Sequence, residues 1–350
     1  MITIIGAGPV GNYLAYLLAR NNLDVSVYEE HKEIGKPVQC AGLITSEIEK
    51  FNFELEKFLI KKNNKLRLYS RNNCVELNLK KPEYIIDREK FDKYLYEKAR
   101  KAGAKFYLWH KFIKIENELM LIKDIKNNKI KKIKKNILIL AKGVNAKGKN
   151  YYGIQCRAKL KKDCYEVYFN VKDFFSWIIP EENNICRIGI ASKDKSIKYY
   201  FENFLKKINI KNKDILNYQS GLIPIFNENI KIKNKNIYLI GDAASQVKAT
   251  TGGGIIPGLY AARLLADCLI NKKDYNKEIS KLNKELKLHL KVRKILDKFS
   301  QEDYNYLLKL IKQSKIKRMI EEESREFPLK LLAKLLLNEP KFLKFINKLF

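Results

Sequence analysis

Three glycines within the first dozen residues constrain this chain more than any other feature. Gly6, Gly8 and Gly11 follow the apolar run Ile2-Thr3-Ile4-Ile5 and open a stretch whose apolar positions Leu14, Leu17 and Leu18 recur at helical spacing. Asn21-Asn22 closes the predicted helix, and Val25-Ser26-Val27-Tyr28 forms a second strand that ends at Glu29. Strand, glycine turn, helix and strand in about thirty residues make a βαβ unit that binds a dinucleotide. The first glycine permits the tight turn, the second lets backbone approach a diphosphate, and the third allows close helix–strand packing. The helix N-terminus offers free N–H groups to the phosphates, and the acid at the second strand's end is placed to accept from a ribose hydroxyl. Gly6, Gly8, Gly11 and Glu29 are thus the first cofactor-binding candidates, and by themselves they leave NAD and FAD equally open.

A chain of 350 residues can bury a sizeable core. No apolar run is long enough to span a bilayer. The first residues lack the basic start and cleavage site of a signal peptide. The expected location is therefore the cytoplasm, including the inner face of the membrane. The six cysteines and three histidines show no metal-ligand spacing, so no metal is expected. The formal charge of +31 fits nucleic acid, an anionic membrane or an acidic protein partner. Its lysines are spread through nearly every segment, and no nucleic-acid motif accompanies them, which argues against nucleic acid.

Further along, residues 66–79 alternate weakly as strands, and Asp87 is placed to cap a helix over 88–101. Residues 104–141 read as strands around a turn near Asn127-Asn128, and 153–192 as more strands. A third buried strand, Ile237-Tyr238-Leu239-Ile240, runs into Gly241-Asp242, with a helix from about Ile255 to Leu269. From residue 275 the pattern is helical, with breaks near Pro328 and Pro340. The tail carries Leu329, Leu332, Leu335, Leu336, Phe342, Leu343, Ile346, Leu349 and Phe350 at near-helical spacing with lysines between. Such a helix packs on its own body or lies on an anionic membrane.

The segment Ile237 to Ala244 resembles the second FAD-contacting motif of glutathione-reductase-type flavoproteins, which makes Asp242 a candidate for the ribityl and diphosphate region. The glycine run Gly252-Gly253-Gly254 before Ile255 would let backbone approach a flat ring, with the helix N-terminus facing negative charge on it. FAD is accordingly the expected cofactor.

Taken together, these residues resemble the geranylgeranyl reductase family, which includes archaeal digeranylgeranylglycerophospholipid reductases. Pro37-Val38-Gln39-Cys40 is similar to the family's Pro-x-x-Cys segment beside the flavin, and Asp87-Arg88 to its Asp-Arg helix start, whose arginine lies near FAD. Phe175-Ser176-Trp177-Ile178-Ile179-Pro180, followed by Gly189, is similar to the family's Tyr-x-Trp-x-Phe-Pro…Gly-x-Gly substrate motif. Phe175 stands for that motif's tyrosine, Ile179 for its phenylalanine and Ala191 for its second glycine. Lys142-Gly143 replaces the Asp-Gly pair that related hydroxylases use, which counts against a monooxygenase.

The resemblance implies an FAD-dependent reductase that hydrogenates carbon–carbon double bonds of geranylgeranyl chains in archaeal ether phospholipid biosynthesis. Phe175, Trp177, Ile179 and Pro180 would meet the substrate. Cys40 would be an acid or a positioning group, a buried thiol with a raised pKa suiting a proton donor. The electron donor stays open between a ferredoxin, a reduced deazaflavin and NADPH. The alternatives are a flavin monooxygenase or quinone-linked dehydrogenase of the same superfold, and a non-catalytic flavin-binding electron carrier. The expected fold is α/β: a glutathione-reductase-type FAD-binding Rossmann fold with an inserted antiparallel-sheet substrate domain and a helical C-terminal extension. Its expected divisions are 1–150 for the first part of the FAD domain, with a small excursion near 45–82, 151–235 for the substrate domain, 236–274 for the second FAD part, and 275–350 for the helical region.

Overall fold

The computed structural model describes residues 1–134 and 136–349. The apolar strands Ile2–Ile5, Val25–Tyr28 and Ile137–Leu140 lie side by side with Ile237–Leu239 and Lys105–Tyr107, all parallel. Lys233–Asn234 adds an antiparallel edge, giving the order Lys233–Asn234, Ile237–Leu239, Ile137–Leu140, Ile2–Ile5, Val25–Tyr28, Lys105–Tyr107. The central strands Ile2–Ile5 and Val25–Tyr28 are buried throughout, as strands covered on both faces must be, and so they do not alternate apolar with exposed residues.

Helix Pro9–Ala19 packs between Arg88–Lys101 and Ile255–Asn271 on one face of this sheet, burying Leu14, Leu17 and Leu18. Asp87 caps the second of these helices, accepting from Lys90 N–H at 3.0 Å. On the other face lies a three-stranded antiparallel sheet, His110–Glu116, Leu119–Asp124 and Lys129–Lys134, whose Met120 and Ile122 pack against Ile5, Tyr28 and Leu138. The arrangement is helices, parallel sheet, antiparallel sheet: a Rossmann-like α/β unit.

The second sheet has eight strands, ordered Ile215–Pro224, Asn150–Lys159, Ile185–Ser192, Ser176–Pro180, Tyr165–Tyr168, Leu59–Tyr69, Cys74–Ile86, Leu43–Thr45. It is mixed and not purely antiparallel as expected, because Tyr165–Tyr168 pairs in parallel with Leu59–Tyr69. Two separate passes of the chain, 43–86 and 150–224, meet at that pair. No hairpin joins them, so no turn dictates their relative direction. The excursion expected near 45–82 falls within residues 43–86, which supply three of the eight strands. Their strands also run longer than the alternation over 66–79 predicts, because much of the ladder is carried by half-exposed Lys, Asn and Glu.

Helix Ile197–Lys207 covers one face of this sheet with Phe201 and Phe204. The opposite face, with Tyr151, Trp177 and Ile179, turns toward the Rossmann unit. The C-terminal helices Ser280–Leu296, Gln301–Ile311, Ser314–Glu322 and Pro328–Asn338 close the far side, Leu308 and Ile311 packing on Val75 and Leu77. Pro328 starts its helix at the first turn, where the missing N–H costs nothing, and Pro340 opens a short 3-10 turn. Leu335, Phe342 and Phe345 are buried in the tail; Phe350 lies outside the described residues. Among the described residues no helix is long and apolar enough to cross a membrane.

Two of the early glycines are required by the chain itself. Gly6 has φ +102°, and a Cβ on it would collide with Ala141 O at the end of the neighbouring strand. A Cβ on Gly11 would collide with Gly6 O, so the helix can approach its strand only without one. Gly11→Ala is therefore expected to destabilise the protein by about 3 kcal/mol, read as a lowered midpoint in urea unfolding; an unchanged midpoint would contradict this packing.

Candidate functional site

The third glycine behaves differently. An added Cβ on Gly8 meets nothing within 4 Å, so packing inside the chain does not explain its smallness. Gly8 stands at the N-cap of helix Pro9–Ala19, which has no side-chain cap and no acid in its first turn. Its amides and partial positive charge are thus left for an anion. Glu29 is held beside this turn, Oε2 accepting from Ala7 N–H at 2.8 Å and Oε1 from His31 N–H at 2.9 Å. Open backbone, uncapped helix start and anchored acid fit the diphosphate and ribose of a dinucleotide.

The late motif comes to the same place. Between the strand Ile237–Leu239 and the helix Ile255–Asn271 lies a single 3-10 turn, Gly241–Ala244, and not a direct entry into helix. Gln246 Oε1 accepts from Gly241 N–H at 2.7 Å and holds the turn. Burial raises the Asp242 carboxyl above the usual range and Arg88 partly offsets this, so residues 154 positions apart share one field. Arg88 donates to both Asp92 oxygens at 3.2 Å. Burial opposes its charge, but Asp92 and the Cys40 thiol more than compensate, and its pKa is raised. Cys40 is half-exposed, with Sγ accepting from Gly42 N–H at 3.3 Å. Its thiol therefore sits against a guanidinium and not in the apolar burial that the sequence argument assumed.

In the glycine run, a Cβ on Gly253 would lie 2.8 Å from Lys248 Cε and one on Gly254 3.0 Å from Asp242 Oδ1. Internal crowding thus accounts for part of that run. Ile255 begins a helix without a side-chain cap or first-turn acid, again an open positive end.

A cavity of about 1150 Å³, counting its mouth, adjoins Cys40 and the late glycine run, whereas Gly6, Gly8, Gly11, Glu29, Arg88 and Asp242 do not line it. Cys40 and Gly252–Ile255 line one side, Phe174, Phe175, Trp177 and Ile179 another. Phe175, Trp177 and Ile179 point the same way because side chains alternate along a strand. Pro180 does not line the cavity; it pairs with Cys186 at the strand's end.

Several residues here escape sequence reasoning. Lys248 and Glu326 form an ion pair in the cavity wall, with Thr45 Oγ1 donating to Glu326 at 2.8 Å and Arg325 paired to Glu83 beside it. Lys248 at least belongs to the glycine-rich motif, whereas Arg325 and Glu326 arrive from the C-terminal region and carry no local signal. Arg187 pairs with Glu181 and donates to Ala41 O at 2.6 Å and Ile86 O at 3.1 Å, clamping the Cys40 segment. Removing one partner of such a buried pair costs roughly 3–5 kcal/mol. Among the described residues no group of three His, Cys, Asp or Glu could hold a metal ion.

Residues 4–49 match the NAD(P)-binding Rossmann-like domain family. The digeranylgeranylglycerophospholipid reductase of Methanocaldococcus jannaschii is 28% identical over 89% of this chain and 90% of its own. A geranylgeranyl bacteriochlorophyll reductase-like protein from Thermoplasma acidophilum shares the fold with a TM-score of 0.79 and 21% identity, covering 100% of this chain and 98% of that one. A halogenase mutant solved in complex with FAD has a TM-score of 0.62 and 14% identity over 91% of this chain and 84% of its own.

His289 ties the C-terminal region to the glycine-rich motif. Its Nε2 can only donate to Glu326 O, at 3.2 Å, so Nδ1 accepts from the Thr250 hydroxyl at 2.6 Å. Burial, reinforced by Lys248, pushes its pKa down from 6.5 to about 4. Between those two values the unfolded chain binds a proton that the folded chain refuses, so stability is lost as pH falls through that window. The loss from this group should reach roughly 2 kcal/mol at pH 5. His289→Gln, whose amide can make both bonds but does not titrate, should abolish most of the fall in Tm between pH 7 and 5; an equal fall in both proteins would refute the assignment.

Along nine-tenths of its sequence this chain is thus similar to a digeranylgeranylglycerophospholipid reductase, and over its whole length it shares the fold of a geranylgeranyl bacteriochlorophyll reductase-like protein.

Proposed function

We propose that this protein is an FAD-dependent reductase that hydrogenates carbon–carbon double bonds of geranylgeranyl chains, in the biosynthesis of archaeal ether phospholipids. The observation that carries the reading is the cavity itself: an apolar wall of Phe174, Phe175, Trp177 and Ile179 faces Cys40 and the glycine-rich turn. The likeness to a digeranylgeranylglycerophospholipid reductase supports the substrate class.

In this reading the Rossmann unit is of the glutathione-reductase type. Gly6, Gly8, Gly11 and Glu29 would hold the ADP half of FAD, Asp242 the ribityl and diphosphate region, and Arg88 with Gly252, Gly253, Gly254 and Ile255 the ring end. FAD, when bound and reduced, supplies hydride. The chain's own contribution is a dry channel that holds the alkene in place and a proton for its second carbon. Cys40, which lines the cavity, is the candidate proton donor.

Helix Pro328–Asn338 buries only Leu335 and leaves Leu329 61% and Leu337 83% exposed, with Leu343 at 51% beyond it. Exposed Lys330, Lys341 and Lys344 flank this stripe, which supports peripheral contact with an anionic membrane. The charge of +31 supports an acidic electron donor such as a ferredoxin.

Anaerobic incubation of the dithionite-reduced protein with geranylgeranyl lipids should add mass in steps of two hydrogens, read by mass spectrometry. Absence of any gain with every isoprenoid offered would eliminate the reductase, and oxygen consumption with substrate would favour a monooxygenase. Gly8→Val should fold, since its site is open, yet purify colourless; normal flavin content would refute the placement of the diphosphate.

A further inference from the structure

Four residues from four adjacent strands stand in one line across the eight-stranded sheet. Gln219 pairs with Gln155, Gln155 with Gly189, and Gly189 with Trp177. Residues paired in this way project from the same face, and Gln155, Trp177 and Gln219 all line the cavity. Gly189 makes the line possible. A Cβ there would collide with the Trp177 ring and come within 2.7 Å of Gln155 Cβ, so only glycine lets the indole lie across that strand.

The indole thereby reaches the second strand over, where Nε1–H donates to Gln155 Oε1 at 3.3 Å. An indole can only donate, which fixes the orientation of the Gln155 amide: oxygen toward Trp177, nitrogen away from it. That nitrogen donates to the Cys40 carbonyl at 3.0 Å and to Gln219 Oε1 at 2.5 Å. Gln155 is 5% exposed, with both N–H groups and its oxygen engaged. It is the one side chain bonded both to Trp177 and to the Cys40 backbone among these contacts.

We propose that Gln155 is a positioning residue that sets the Cys40 thiol against the Trp177 wall, so that a chain lying on the indole is presented at a fixed distance from the thiol. The consequence for turnover rests on the reductase reading; the mechanical coupling does not. Gln155→Leu removes all three bonds at similar volume. Gln155→Glu keeps the acceptor for the indole but turns a carboxylate oxygen toward two other acceptors. Trp177→Phe removes the indole N–H and retains an aromatic ring.

The test uses the purified, flavin-loaded full chain. Alkylation of Cys40 by iodoacetamide is followed by peptide mass spectrometry, with the exposed Cys74 as internal reference. Relative to Cys74, the Cys40 rate should rise at least about threefold in Gln155→Leu and Gln155→Glu, and also in Trp177→Phe. The Gln155→Leu/Trp177→Phe double variant should go little further than the larger single effect, because both act through one link. Trp177 emission, isolated by Trp109→Phe, should shift in Gln155→Leu. A Cys40-to-Cys74 ratio that is unchanged or falls in the folded variants, or effects of the two single changes that simply multiply, would overturn the proposal. Should Gln155→Leu not fold, Gln155→Glu and Trp177→Phe decide the same question. With geranylgeranyl lipid, kcat should fall while KM changes little. A positive alkylation pattern without lipid reduction by the unaltered protein would leave the coupling standing and remove the reductase reading alone.

Discussion

One guanidinium ties the Cys40 segment and the chain leading into Arg88 to the eight-stranded sheet. Arg187 projects from the strand Ile185–Ser192, pairs with Glu181, and donates to the carbonyls of Ala41 and Ile86. Ala41 follows Cys40, and Ile86 ends the strand that leads into Asp87 and Arg88. A buried cation needs every donor satisfied, and the groups that satisfy this one belong to the segments that carry the thiol and its neighbouring arginine. Gly42 lacks a Cβ where the Arg187 guanidinium passes. The position of Cys40 relative to the aromatic wall is therefore set by charge satisfaction as much as by apolar packing.

A second charged group works in the cavity wall itself. Lys248, on the glycine-rich turn, and Glu326, from the C-terminal region, are each buried and paired, with Thr45 and His289 bonded to the same residue. Burial opposes the Lys248 charge and lowers its pKa, so the pair persists because each member would be worse off alone. In this way a region that reads as generic lysine-rich helix becomes part of the cavity. The same C-terminal region also packs on the eight-stranded sheet, where Leu308 and Ile311 meet Val75 and Leu77.

Much of the α/β unit is legible along the chain because its signals are local. Gly6, Gly8 and Gly11 sit between one apolar run and one helical pattern, and Asp87 caps its helix through its own neighbour at Lys90. The segment Phe175 to Pro180 is legible through a resemblance, yet which residues face the cavity depends on strand register: Trp177 does and Pro180 does not. The parallel join of Tyr165–Tyr168 to Leu59–Tyr69 has no sequence signature, because nothing near either strand specifies a partner roughly a hundred residues away.

The sequence by itself determined the βαβ unit and the second glycine-rich turn, because turn chemistry and periodicity act within a few residues; Cys40, Arg88, Asp242 and Trp177 stood out only as what a family resemblance implies. Only the tertiary structure decided that Arg88 shares a field with Asp242, that Cys40 lies against a cation, and that Gln155, Arg187 and Glu326 belong to the site. The physical reason is that burial and charge pairing are properties of surroundings. A glutamine or arginine on a strand has the same local signature whether it faces water or is enclosed, and only the meeting of distant segments tells the two apart.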